Sequence, residues 1–292
     1  MKYAVIDIGS NSVRLLLWAD GSALYKKKST TRLGEGLSLT GALSQAAMQR
    51  SAEAVCRFAE EGRAAGARVL AFATAAVRRA SNGAEFVARV LDACGVRIDV
   101  LSGEREAEAG FAGALRGEDG AVIDIGGAST EVIVQRGGKA VFAVSADIGA
   151  VRLKDVCGED KAKLQNYIRE KLSAFDGAPC AREPVAIGGT ATSLSAVFYG
   201  VQPYDPAKID GSRLTRAEVA GLAEKLLAMP QEERLALRGM DAQRADILGG
   251  GALLFSMLLE KLGACGARIS ESDNLEGYLF LAQRGGVEGC VF

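Results

Sequence analysis

Two stretches of the chain carry acidic, hydroxyl and glycine residues in the same order. Residues 4–17 read AVIDIGSNSVRLLL and residues 121–134 read AVIDIGGASTEVIV. Each ends an apolar strand with an aspartate, Asp7 or Asp124, and follows it at once with a turn of glycine and small hydroxyl residues. In such a turn backbone N–H groups approach an anion closely, and the aspartate is placed to hold a hydrated divalent cation against it. Two turns of this kind facing each other would clamp a phosphate. The copies are not chemically equal, because Arg14 in the first stands where Glu131 stands in the second. The first therefore suits an anion, and the second a metal ion or water. A third turn, Gly188-Gly189-Thr190, opens from a buried strand into a helix and offers N–H groups and a hydroxyl at a helix N-terminus.

The composition narrows the chemistry further. Histidine is absent, so no Ser-His or Cys-His pair operates and any general base is Asp, Glu, Lys, Tyr or Cys. Six cysteines, at positions 56, 94, 157, 180, 265 and 290, form no CxxC pair and suggest neither a zinc site nor a disulfide framework. They are expected to be small buried hydrophobes in a reducing cytosol. A net charge of -1 gives no reason to expect a nucleic-acid groove or an anionic membrane surface as partner. No secretory signal and no long apolar span is present, so a cytoplasmic location is expected.

The elements that must position these residues also repeat. The chain has 292 residues, 49% hydrophobic, 24% charged and with only 5 prolines, enough for two ordered domains that each bury a core. Both halves open strand, turn, strand, hairpin, strand, with hairpin turns at Asp20-Gly21 and Gly137-Gly138. Helices are expected over 44–65, 83–94, 103–117, 151–175, 215–229, 241–262 and 274–284. Further strands are expected over 68–73, 96–102, 184–187 and 267–270. Strands alternating with helices make a layered α/β protein. The domain junction is expected near 117–120, giving domains over 1–118 and 119–292.

AVIDIGSNSVRLLL, FATAAVRRASN, LSGEREAEAGFAGAL, AVIDIGGASTEVIV, IGAVRL and AIGGTATSL together resemble the exopolyphosphatase and guanosine pentaphosphate phosphohydrolase family, a branch of the sugar kinase, heat-shock chaperone and actin superfamily. RADILGGGALL and SDNLEGYL extend the resemblance almost end to end. It implies two actin-like, ribonuclease H-like α/β domains with duplicated β-β-β-α-β-α topology and an interdomain cleft. The last helix would pack back on the first domain. The chain resembles the short, two-domain form of the family rather than relatives that carry a histidine-bearing helical domain.

The resemblance also implies roles. Glu106, in SGEREA, matches the catalytic glutamate. By spacing alone it would be one more solvated charge on a helix that also carries Glu104, Arg105 and Glu108. Ser10, Asn11, Ser12, Arg14 and Arg78 match the phosphate-binding residues of the first half, and Gly126, Gly127, Ser129 and Thr130 those of the second loop. Gly189 and Thr190 would line the cleft. Asp7, Asp124 and Glu131 would hold Mg²⁺, with Mn²⁺ as an alternative. The implied reaction is Mg²⁺-assisted attack of water, aligned by Glu106, on the end phosphate of inorganic polyphosphate, with guanosine pentaphosphate as the rival substrate. A phosphate-anhydride-binding regulator without turnover and a kinase of the superfamily remain as other readings, and a homodimer is compatible with the family. Two departures stand out: Arg105 occupies a position often acidic, and Ala128 replaces the third glycine of the second loop, adding a Cβ near the expected substrate.

Overall fold

The computed structural model describes residues 1–284. The chain runs β1 (Tyr3–Ile8), β2 (Ser12–Ala19), β3 (Ser22–Thr30), α1 (Leu37–Thr40), α2 (Gln45–Ala64), β4 (Arg68–Ala73), α3 (Ala75–Arg79), α4 (Gly83–Cys94), β5 (Asp99–Val100) and α5 (Gly103–Leu115). It continues β6 (Gly120–Ile125), β7 (Thr130–Arg136), β8 (Lys139–Ala146), α6 (Ala150–Cys157), α7 (Lys161–Lys171), β9 (Val185–Ile187) and α8 (Gly188–Tyr199). Then come α9 (Pro206–Ile209), β10 (Arg213–Thr215), α10 (Arg216–Ala228), α11 (Gln231–Leu235), α12 (Leu248–Lys261), β11 (Gly266–Ile269) and α13 (Asn274–Gln283). Two compact units result: residues 1–113 with 274–284, and residues 114–273.

The first unit is a five-stranded sheet in the order β3-β2-β1-β4-β5, with β1 antiparallel to β2 and parallel to β4. Strand alternation divides its apolar residues between two cores. Ala4, Ile6, Ile8, Val13 and Leu15 pack against Met48, Val55 and Phe58 of α2 and Phe86 and Val90 of α4. Val5, Leu16, Leu70 and Phe72 point the other way, against Ala109 of α5 and Leu275, Tyr278 and Leu279 of α13. The second face positions the candidate site, because α5 carries Glu106. Gly277 of α13 lies so close to α5 that a Cβ there would fall 1.7 Å from the Ala109 carbonyl oxygen.

The second unit repeats the plan in a six-stranded sheet, β10-β11-β9-β6-β7-β8. Ile123, Ile125, Val132 and Val134 face Leu153, Leu164, Leu194 and the apolar side of α12. The antiparallel edge strand β10 was not expected; its three residues are too few to show an alternating pattern. The helix expected over 151–175 is broken, because Gly158 takes φ 61° and Asp160 caps a new helix through the N–H of Lys163. The strand expected over 96–102 shrinks to Asp99–Val100, and the helix expected from 241 begins at Leu248. Thr215 and Glu218 form a reciprocal capping box at the start of α10.

The cysteines depart from expectation. Cys157 is buried and Cys56 and Cys94 are half-buried, but Cys180 and Cys265 are exposed, in the connections that lead to β9 and β11. Cys290 lies outside the described residues. Burial, then the neighbouring Cys94 thiol, pushes the Cys56 thiol up to about 12, which makes it a poor nucleophile. Among the described residues no helix is long and apolar enough to cross a membrane.

Candidate active site

In the first unit the turn between β1 and β2 is braced from one side. The Ser10 carbonyl accepts from Gly34 N–H at 2.8 Å, and the Asn11 carbonyl accepts from Thr31 and Arg32 at 3.1 and 2.9 Å. These contacts engage the Ser10 and Asn11 carbonyls, and the Gly9 N–H is held by the Ser12 carbonyl at 3.0 Å, so an anion would be met by the other N–H groups of the turn. Ser10, Asn11 and Ser12 are all buried, and the Asn11 side-chain Nδ2 has no hydrogen-bond partner among the described residues. Strand register sets Asp7 directly opposite Arg14, and the Arg14 Nε donates to Asp7 Oδ2 at 3.0 Å. Asp7, expected as a metal ligand, is thus the partner of Arg14 here and fixes its guanidinium.

Glu106 and Arg78 come together although 28 residues separate them. Arg78 stands in α3, at the end of β4, and its Nη1 donates to the Leu101 carbonyl at 2.7 Å and to Glu106 Oε2 at 2.8 Å. Glu106 lies in the first turn of α5 and is 6% exposed, so it is not a solvated surface charge. Its own N–H donates to the Ser102 carbonyl, and the Ser102 hydroxyl accepts from Arg105 N–H. Arg105 then forks onto Asp99 at 3.1 and 2.9 Å, and Tyr278 of α13 donates to the same carboxylate. The residue that departs from the family pattern is therefore a tether for the turn that bears Glu106. Sequence gave no sign of this, since the partner lies on a two-residue strand.

The second unit has the same brace built from other residues. Gly126 and Gly127 carbonyls accept from Ala150, Val151 and Arg152, the first N–H groups of α6. Ala128 is buried, and its carbonyl accepts from Arg152 Nε at 3.1 Å, so the side chain added at this position sits in protein. Ser129 is buried beside it, and Thr130 donates its hydroxyl to the Ile148 carbonyl at 2.6 Å, closing the loop onto the start of α6. Register sets Asp124 directly opposite Glu131, 8% and 3% exposed, and Glu131 accepts from Ser145 at 2.6 Å.

Two buried carboxylates on adjacent strands, with oxygen donors only, fit a hard cation such as Mg²⁺, which takes one or two protein carboxylates and fills its octahedron with water and phosphate oxygens. Among the described residues no cluster of three or more His, Cys, Asp or Glu side chains forms a larger cage.

The third turn abuts the second. Gly188 has φ 81°, and a Cβ there would fall 2.3 Å from Asp124 Oδ1. Thr190 is buried against Gly251 of α12. Over Gly189, at the N-terminus of α8, lies the Arg244 guanidinium, which a Cβ would strike at 1.9 Å. Arg244 belongs to RADILGGGALL; its placement over the turn depends on the chain returning from a distant segment, which no local pattern reveals.

Two α/β units of actin-like topology, each presenting a braced glycine and hydroxyl turn with a buried aspartate, define a phosphate-handling enzyme of that superfamily. The chain belongs to the Ppx/GppA phosphatase family, whose pattern matches residues 18–282. It is 35% identical to exopolyphosphatase 2 of Mycobacterium tuberculosis over 94% of this chain and 97% of that protein. It is 30% identical to the guanosine-5'-triphosphate,3'-diphosphate pyrophosphatase of Photobacterium profundum over 95% of this chain but 58% of that protein. Among solved structures, the Aquifex aeolicus family member superposes with a TM-score of 0.79 at 29% identity, covering 98% of both chains. An exopolyphosphatase from Cytophaga hutchinsonii superposes at 0.87 with 26% identity, again covering 98% of both. This membership makes the protein a phosphoanhydride hydrolase by class.

Proposed function

We propose that the protein releases terminal orthophosphate from inorganic polyphosphate. The observation that carries this reading is the buried Glu106 carboxylate held by Arg78. A water oxygen attacks the terminal phosphorus, the bridging P–O bond breaks, and the shortened chain leaves with the bridging oxygen. Glu106 orients that water and accepts its proton, a role a carboxylate ionised at neutral pH can fill. Arg78 passes from the carboxylate to the phosphate oxygens, where its charge is needed as the transition state forms, and so frees Glu106 Oε2. Ser10, Asn11, Ser12 and Arg14 hold phosphate oxygens in the first unit; in the second, Gly127 and Ser129 offer N–H groups, and Gly126, whose N–H is held by the Ser129 carbonyl at 3.0 Å, gives the turn its shape.

Asp124 and Glu131 would hold Mg²⁺, which when bound neutralises phosphate charge. The Ala128 methyl, turned into protein, leaves room for this chemistry. Coverage of 97% of an exopolyphosphatase, against 58% of a guanosine-nucleotide pyrophosphatase, favours polyphosphate over guanosine pentaphosphate. The test is orthophosphate release from long polyphosphate, tripolyphosphate and guanosine pentaphosphate in Mg²⁺ buffer, with and without a chelator. Polyphosphate is expected to be the best substrate by kcat/KM and release to stop with chelator; guanosine pentaphosphate ahead of polyphosphate would overturn the substrate assignment.

A further inference from the structure

Glu106 stands in the first turn of α5, whose leading N–H groups have no carbonyl one turn earlier to hold them. Its place therefore depends on what ties that turn to the sheet. Leu101 N–H donates to the Ala73 carbonyl at 2.9 Å, and the Leu101 carbonyl accepts from Arg78. Beyond Leu101 the chain comes to the surface at Ser102 and Glu104 before Glu106 turns inward.

Arg105 closes that stretch into a ring. Its guanidinium reaches back six residues and forks onto both oxygens of Asp99. A two-pronged bond of this kind fixes orientation as well as distance. Asp99 is itself held twice: β5 pairs it with Phe72 of β4, and Tyr278 of α13 donates to its Oδ2 at 3.2 Å. Tyr278 is buried and stacks on the Phe72 ring, with centroids 4.5 Å apart. A line from Phe72 through Tyr278 and Asp99 to Arg105 thus joins the second core of the first unit to the residue next to Glu106. Successive helix residues point about 100° apart, and here one side chain goes to Asp99 and the next to Arg78. The Arg105 and Asp99 side chains are 36% and 15% exposed, and an ion pair that solvent reaches adds little to stability. What the first turn of α5 gains from it is a fixed direction.

We propose that Asp99, Arg105 and Tyr278 are positioning residues for the reaction, holding the first turn of α5 so that the Glu106 carboxylate stays where it can meet both Arg78 and the attacking water. The proposal rests on the hydrolase reading and on Glu106 as its base. A base displaced by about 1 Å loses rate without losing substrate, so release of the turn lowers kcat and leaves KM near the parental value.

The test measures kcat and KM for orthophosphate release from long-chain polyphosphate in the parent, Arg105→Met, Arg105→Lys, Tyr278→Phe, Glu106→Gln and the double variant that combines Arg105→Met with Glu106→Gln. Amide hydrogen exchange over residues 102–107 is compared in the parent and Arg105→Met. Arg105→Met is expected to lower kcat about tenfold, to leave KM and Tm close to those of the parent, and to speed exchange in that turn. Arg105→Lys, which can keep one bond to Asp99, should recover part of the rate, and Tyr278→Phe should show a smaller loss. With Glu106 already replaced by Gln, Arg105→Met should cost nothing further, because residues that act through one another are not additive. An unchanged kcat in Arg105→Met, a change confined to KM, or the same tenfold loss on top of Glu106→Gln overturns the positioning role. A parental rate in Glu106→Gln overturns Glu106 as the base and the positioning role with it. If the parent releases no orthophosphate, the hydrolase reading fails and exchange decides the tether: faster exchange in Arg105→Met upholds it, and unchanged exchange removes it.

Discussion

The two aspartates occupy one position of the repeat but face opposite charges across the strand pair. Asp7 meets Arg14, and Asp124 meets Glu131. Glu131→Gln keeps the shape and the acceptor for Ser145 but removes one charge from the pair. It should raise the Mg²⁺ concentration for half-maximal activity by an order of magnitude, while polyphosphate KM at saturating Mg²⁺ changes little. An unchanged metal titration would remove Glu131 from the metal site. That Asp7 faces Arg14 as Asp124 faces Glu131 was legible in the sequence because the repeat aligns the four positions, with arginine in one copy where the other has glutamate. Glu106 was legible only by resemblance, since its burial and its bond to Arg78 depend on α3 and α5 meeting at the end of β4.

At the scale of elements, close approaches of helix and turn hold the candidate site residues in place. Gly277 lets α13 lie against α5, so Gly277→Ala should push α5 aside and lower kcat while the protein remains folded by circular dichroism. Unaltered kcat would show that the helix pair does not set the position of Glu106. Gly188→Ala adds both left-handed strain, about 1 kcal/mol, and a methyl where Asp124 Oδ1 now sits. Its activity should fall with a weakened Mg²⁺ response, measured in the same metal titration.

Farther from the site, the buried Arg234 forks onto Glu159 at 2.7 and 3.0 Å and also donates to the Met229 and Ala245 carbonyls, tying α11 to the end of α6. The Arg234 hydrogen bonds, outweighing partial burial, hold the Glu159 carboxyl below its usual value near 4.5. A depressed carboxylate contributes stability above its unfolded pKa and loses it as pH falls through the folded value. Glu159→Gln should therefore lower Tm at pH 7, and the gap from the parent should close as pH drops well below 4.5. A gap independent of pH would mean that packing, not charge, is what Glu159 provides. The broken helix of residues 151–175 was hidden from periodicity because its apolar residues keep phase across Gly158.

The whole molecule is a duplication whose halves have diverged in charge more than in backbone. The strand orders β3-β2-β1-β4-β5 and β8-β7-β6-β9-β11 correspond, and each turn is braced by N–H groups from a later segment: residues 31–34 in the first unit and 150–152 in the second. This much was readable in advance, since apolar strands, glycine turns and hairpins recur at matching positions. The extent of each unit was not readable from sequence adjacency, because α13 joins the first core from a distant segment, a return that only the resemblance implied. The central claim is that a buried glutamate, held by an arginine until phosphate arrives, activates water against a phosphoanhydride. The most direct measurement is orthophosphate release from long-chain polyphosphate in Mg²⁺ buffer by the parent and by Glu106→Gln at equal folded concentration. The account predicts that the parent releases orthophosphate and that kcat falls by about two orders of magnitude or more in the variant, with KM little changed. Equal rates in the two proteins, or no release by the parent, would contradict it.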